Sequence, residues 1–242
     1  MQAPSTGRLS HASALAGAVG ILVFANLANN LWFPSWILFT APVCTGLLVL
    51  LLFRAGGDRA DLGLARGSLG TGARWALTLI GIVAAGYLCA AALPATRHLF
   101  EDTRNEGLTG AEVLLKSFVM VPVGTVLLEE VAFRGVLYGL ILRMRGPVPA
   151  IVWSSLLFGL WHILPSLDLA SDKPALNSTF GSSVIGTVLV ELGTVLFTAA
   201  AGCLFCLLRR RSNSLLAPMG LHWATNSWGY VFGYLIGALT HG

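Results

Sequence analysis

The chain has 242 residues, of which 55% are hydrophobic and 11% charged, with a formal net charge of +4 and a mean hydropathy of +0.77. Soluble domains carry about 25% charged residues, so a water-soluble fold of this size lacks the charge to cover its surface. Nor does the positive balance point to nucleic acid, because the basic residues are scattered over short connections between long apolar runs.

Crossing about 30 Å of hydrocarbon at 1.5 Å per helical residue takes roughly 20 residues. On that measure the sequence predicts seven spans, at about 12–31, 34–53, 75–95, 113–142, 147–167, 184–208 and 213–238. The first follows Arg8, and Asn26, Asn29 and Asn30 interrupt its end. Because another apolar run follows at once, it is expected to be a retained membrane helix rather than a cleaved secretory signal. The fourth is too long for one straight span. Pro122 is expected to kink it, with the turns from Gly135 onward lying along the membrane interface. The longest connections are about 54–74, 96–112 and 168–183, and no internal repeat is visible. The expected fold is all-α, a single polytopic membrane domain over residues 1–242.

With the N-terminus inside, the inner segments hold Arg8, Arg54, Arg59, Arg66, Arg74, Arg143, Arg145, Arg209, Arg210 and Arg211. The outer segments hold Arg97, Arg104 and Lys173, beside the acidic residues Glu101, Asp102 and Glu106. Ten basic residues against three follow the positive-inside tendency and predict an outer C-terminus. Cys44, Cys89, Cys203 and Cys206 all lie in apolar runs. The Cys203-x-x-Cys206 pair has no acid or histidine nearby and is read as packing.

Charged groups inside a bilayer are costly and usually face a cavity. Most such residues here fall into three clusters: Glu129, Glu130 and Arg134; Phe158 and His162; His222 and Asn226. Helical rise puts Glu129 roughly 21 Å from Arg143, His162 roughly 22 Å from Pro147 and His222 roughly 16 Å from Arg211. Three helices thus bring polar groups to a similar level from the same side. Glu130 and Arg134, four apart, stack as an ion pair. Glu129 is rotated by about 100° from its neighbour and is free to face a shared cavity. His222 and Asn226 present two hydrogen-bonding groups side by side, and Phe158 is expected to wall the cavity.

A carboxylate base, an imidazole beside it and a polar pair for developing negative charge suit peptide hydrolysis. Taken singly, each element has another use. Glu130 and Arg134 can merely neutralise each other for insertion, and either histidine can serve helix–helix hydrogen bonding. Lys116 lies near a helix end and can snorkel, while Glu191 shows no partner. Trp161, Trp223 and Trp228 are expected to pack or anchor. A proton-coupled transporter would also use intramembrane Glu and His, and a non-catalytic immunity factor or scaffold is the third class.

Glu129-Glu130-x-x-x-Arg134, Phe158-x-x-x-His162 and His222-x-x-x-Asn226, in that order, resemble the three-motif signature of the CAAX protease and bacteriocin-processing family. The motifs fall within residues 113–230. The resemblance implies an intramembrane endopeptidase acting on a membrane-associated peptide or protein, with or without a lipid anchor. By position, Glu129 is the general base, with His162 helping to hold the water. His222 and Asn226 would stabilise the oxyanion, supported by Glu130 and Arg134. Eukaryotic relatives trim prenylated C-termini, whereas prokaryotic ones are linked to peptide maturation or bacteriocin self-immunity. The absence of an appended domain favours the plasma membrane of a prokaryote. Zinc is the cofactor that the residue types admit, with Glu129, His162 and His222 as ligands. No His-Glu-x-x-His pair is present, and a metal-free reaction is expected.

Overall fold

A computed structural model describes residues 8–100, 105, 107–167, 176, 179 and 183–241. Arg104, Lys173, the acidic residues 101, 102 and 106, and most of connection 168–183 lie outside them. Seven helical rods account for most of the described residues. They are α1 (His11–Trp32), α2 (Pro34–Arg54), α3 (Arg66–Ala92), α4 (Gly110–Arg145), α5 (Pro147–Trp161), α6 (Val184–Ser212) and α7 (Leu216–His241). No strand occurs among the described residues.

Five rods, α1 to α4 and α6, are long and apolar enough to cross a membrane. α5 is shorter, and α7 carries His222, Thr225, Asn226 and Ser227 in its first half. Large apolar side chains point outward all round, among them Leu77 at 69%, Leu196 at 70% and Phe197 at 74% exposed. Only a lipid surround makes so much exposed apolar surface favourable.

α4 runs through the middle, touching α1, α2, α5 and α7, while α3 packs along α7 and α6 along α5. Its start is fixed by a capping box, in which the Thr109 hydroxyl accepts from the Glu112 N–H and the Glu112 carboxylate from the Thr109 N–H. Pro122 has no N–H to give the helical ladder. Around it the rod adopts wider π-type turns over Lys116–Val126, with the Leu127 N–H bonding the Pro122 carbonyl five residues back. The turns from Gly135 to Ile141 do not lie on the outside of the bundle: all seven residues are buried among α1, α2 and α5. Gly135 and Gly139 let the 55–65 connection approach closely, against Leu62 and Asp61 respectively. α4 and α5 are joined by Gly146 at φ +84°, a conformation that favours glycine, followed at once by Pro147 at the helix start.

The 55–65 connection gathers one end of the bundle. Arg8 donates to the Gly56 carbonyl at 3.3 Å, Arg143 forks onto the two Asp61 carboxylate oxygens at 2.9 and 2.7 Å, and Arg209 donates to the Ala60 carbonyl at 2.7 Å. The Leu215 N–H, ahead of α7, bonds the Gly63 carbonyl at 2.8 Å. The basic segments that the charge pattern assigned to one side do converge, which sets the register of the rods entering the core from that end. The four cysteines are free, and Cys206 is buried about 4 Å from Ser154 and Ser155.

Candidate active site

Two consecutive carboxylates on α4 diverge. Glu130 is fully buried and its Oε1 accepts from Arg134 Nη1 at 3.1 Å, one turn on. The same oxygen accepts from His222 Nδ1 at 2.8 Å. The Arg134 guanidinium lies 3.8 Å from the Phe158 ring centroid and 4.7 Å from that of Phe205. A buried charge needs such compensation: a counter-ion on one edge and aromatic faces against its plane.

Glu129 faces the other way, towards a cavity of about 840 Å³. α3, α4, α6 and α7 line that cavity through Tyr87, Thr125, Thr194 and Tyr230, with His162 and Ser166 following α5. The Glu129 Oε1 accepts from the Trp161 indole N–H at 3.0 Å. Its Oε2 is buried with no hydrogen-bond partner among the described residues, 4.0 Å from His162 Nε2 and 3.8 Å from His222 Nε2.

The remaining ring nitrogens fix the histidines. His162 Nδ1 lies 2.8 Å from the Phe158 carbonyl, which can only accept, so Nδ1 carries a proton, and in the neutral tautomer this leaves the lone pair on Nε2. His222 Nδ1 donates to the Glu130 carboxylate, leaving its Nε2 aimed at Glu129. α5 breaks at His162 (φ −81°, ψ −3°), which sets this imidazole at the end of the helix over the cavity.

The seven sequence-predicted residues are therefore brought into one region with different surroundings. Glu129, His162 and Asn226 line the cavity. His222, one turn from Asn226 on α7, is buried behind them at 5% exposure, whereas Asn226 is exposed to the cavity. Phe158 does not wall the cavity. It is 2% exposed and lies edge-on to both imidazoles, beneath Arg134, because α4 and α5 pack face to face there.

Other polar groups find partners that spacing did not reveal. Glu191 accepts from the Ser166 hydroxyl at 2.8 Å. The Lys116 ammonium lies 5.5 Å from the Tyr230 ring centroid. The Trp223 indole bonds the Ser117 carbonyl, and Trp161 holds the Glu129 carboxylate rather than merely packing. That last contact has no local sequence signal, since 32 residues separate its partners.

The donor types suit zinc, and a carboxylate on His222 Nδ1 is the usual outer partner of a ligating imidazole. The spacing does not. Tetrahedral zinc with bonds of about 2.0–2.1 Å holds its ligand atoms about 3.4 Å apart, and these contacts are 3.8 and 4.0 Å. No grouping of three or more His, Cys, Asp or Glu among the described residues could hold a metal ion.

Fold and site together define a membrane-embedded helical protein with a carboxylate and one imidazole at the wall of a cavity and a second imidazole buried behind them. Residues 111–228, just under half of the chain, match the family model described as Rce1-like, type II CAAX prenyl endopeptidase Rce1-like. The match supports the CAAX protease and bacteriocin-processing family, and with it a protease, in general terms a CAAX-type intramembrane endopeptidase. No curated protein and no solved structure matches the chain.

Proposed function

We propose that this protein hydrolyses a peptide bond of a membrane-associated peptide or protein by means of a water activated at Glu129. The supporting observation is the Glu129 Oε2 atom, buried, unpartnered and faced by two Nε2 atoms at 3.8 and 4.0 Å. A water there donates one hydrogen to Oε2 and the other to the bare Nε2 of His162. Its oxygen attacks the scissile carbonyl carbon while Glu129 takes the proton, and Glu129 then delivers that proton to the leaving amine. Asn226 in the cavity wall donates to the oxyanion, and His222, braced by Glu130, joins it only with a proton on both ring nitrogens, Nδ1 serving Glu130 and Nε2 the oxyanion. Such donors act strongly where water is excluded.

The 840 Å³ cavity has room for a peptide segment, carrying a lipid anchor or not. The converging basic segments support seven spans with a cytoplasmic N-terminus and an outer C-terminus. The test is reconstitution into lipid nanodiscs with a panel of membrane-anchored peptides, prenylated and not. Wild type yields products that Glu129→Gln and His162→Ala do not. Equal product from all three removes the proposal.

A further inference from the structure

Asn26 lies on α1, outside the segment that matches the family, yet its side-chain amide donates to the Trp161 carbonyl at 2.9 Å across 135 residues. The reason lies in the sequence of the α5 break. In an α-helix the Trp161 carbonyl would accept from the N–H four residues on. That residue is Pro165, which has no N–H. A carbonyl left without a donor inside a membrane protein is costly, and Asn26 supplies the donor from another helix. Asn26 is held in turn, its Oδ1 accepting from Asn30 at 2.7 Å.

The capped residue is the one whose indole holds Glu129 Oε1 at 3.0 Å, and the next residue is His162, whose Nε2 stands 4.0 Å from Glu129 Oε2. One break therefore sets both neighbours of a single carboxylate: a clamp on one oxygen and an imidazole beside the other. We infer that Asn26 is a positioning residue, which holds the Trp161–His162 break in register and through it directs the free oxygen of Glu129. This rests on the hydrolase reading for its effect on rate, though not for its effect on structure.

The experiment is a double-mutant cycle between Asn26→Leu, which removes the donor, and Pro165→Ala, which returns a backbone N–H to the Trp161 carbonyl. Two quantities are read in nanodiscs: kcat and KM on a cleaved peptide, and the ¹⁵N-indole resonance of Trp161, assigned by its loss in Trp161→Phe. Asn26→Leu lowers kcat by roughly 10- to 100-fold, the scale of a displaced catalytic group, and leaves KM within about twofold. The indole resonance moves with it. In the Pro165→Ala background the same substitution changes neither quantity, and that arm stands even if Asn26→Leu alone fails to fold. An unmoved kcat and resonance in Asn26→Leu, or the same loss in both backgrounds, overturns the inference. If wild type cleaves no peptide, the hydrolase reading falls, and the resonance alone decides the role of Asn26.

Discussion

His222 meets Glu130 through Nδ1 at 2.8 Å while its Nε2 stands 3.8 Å from Glu129, so one imidazole spans both members of the acidic pair. The two carboxylates thereby acquire separate work. Glu130, shared between Arg134 and His222, fixes the ring, and Glu129 keeps one oxygen free towards the cavity. Removing Glu130 and removing Glu129 should have unlike consequences.

Glu130→Ala strands the fully buried Arg134 guanidinium. Breaking a buried pair by deleting one partner costs about 3–5 kcal/mol, so thermal unfolding in detergent should show a large loss of stability. Replacing both partners, as in Glu130→Met/Arg134→Met, removes the uncompensated charge and should recover most of that loss without recovering activity. Glu129→Gln keeps the shape and an acceptor for Trp161, so its unfolding temperature should match wild type while turnover falls by about 10² or more. A double variant no more stable than Glu130→Ala would show that the pair is not the source of the cost.

Arg134→Lys preserves the charge and should still be damaging. The planar guanidinium stacks on Phe158 and Phe205 while reaching Glu130, which an ammonium on a flexible stem cannot reproduce. The loss of stacking in a desolvated site is about 2 kcal/mol, read as a lower unfolding temperature. Phe158→Leu should lower it as well, and the two substitutions together should cost less than their sum, because they remove the same contact. Strict additivity would place the importance of Phe158 elsewhere.

Much of this site was legible in the sequence because its chemistry is local to each helix. Four-residue spacing paired Glu130 with Arg134, and the 100° turn between neighbours separated Glu129 from Glu130. The common depth of Glu129, His162 and His222 followed from helical rise alone, and the basic segments marked the end of the bundle that the 55–65 connection gathers. What could not be read was whatever depends on which rods touch. Phe158 sits one turn from His162, so a cavity wall was a fair expectation, but the packing of α5 on α4 turns its ring to Arg134. Glu191 lacked a partner only because Ser166 reaches it from the segment after α5, 25 residues away, and Trp161 likewise reaches Glu129 from another rod. The turns after Gly135 were expected along the interface because the fourth run is too long for one straight span; that they are buried, with glycines serving a close approach by the 55–65 connection, depends on tertiary packing.

Chelation separates a glutamate-type from a metal-type reaction. The contacts of 3.8 and 4.0 Å between Glu129 Oε2 and the two imidazoles are wider than a tetrahedral zinc set. Prolonged exposure to EDTA or phenanthroline should therefore change the rate by less than about twofold, where stripping a resident catalytic metal would abolish it. Elemental analysis of the purified, active protein should find zinc far below one per chain. Loss of activity on chelation with recovery on adding zinc would mean that the site tightens around an ion, and the metal-free water activation proposed here would fail.

Asn226 tests the oxyanion assignment most cleanly, because its side chain is exposed to the cavity and no hydrogen bond within the described residues involves it. Replacing it therefore breaks nothing in the folded protein, unlike His222, whose loss would also disturb Glu130. If the amide donates only to charge that develops during attack, Asn226→Ala should lower kcat by about 10²–10³, with KM little changed and the unfolding temperature at its wild-type value. Asn226→Asp, nearly the same shape but lacking the donor when ionised, should be at least as poor. A rise in KM at unchanged kcat would instead make Asn226 a ground-state contact to the peptide and leave His222 as the sole donor to the oxyanion.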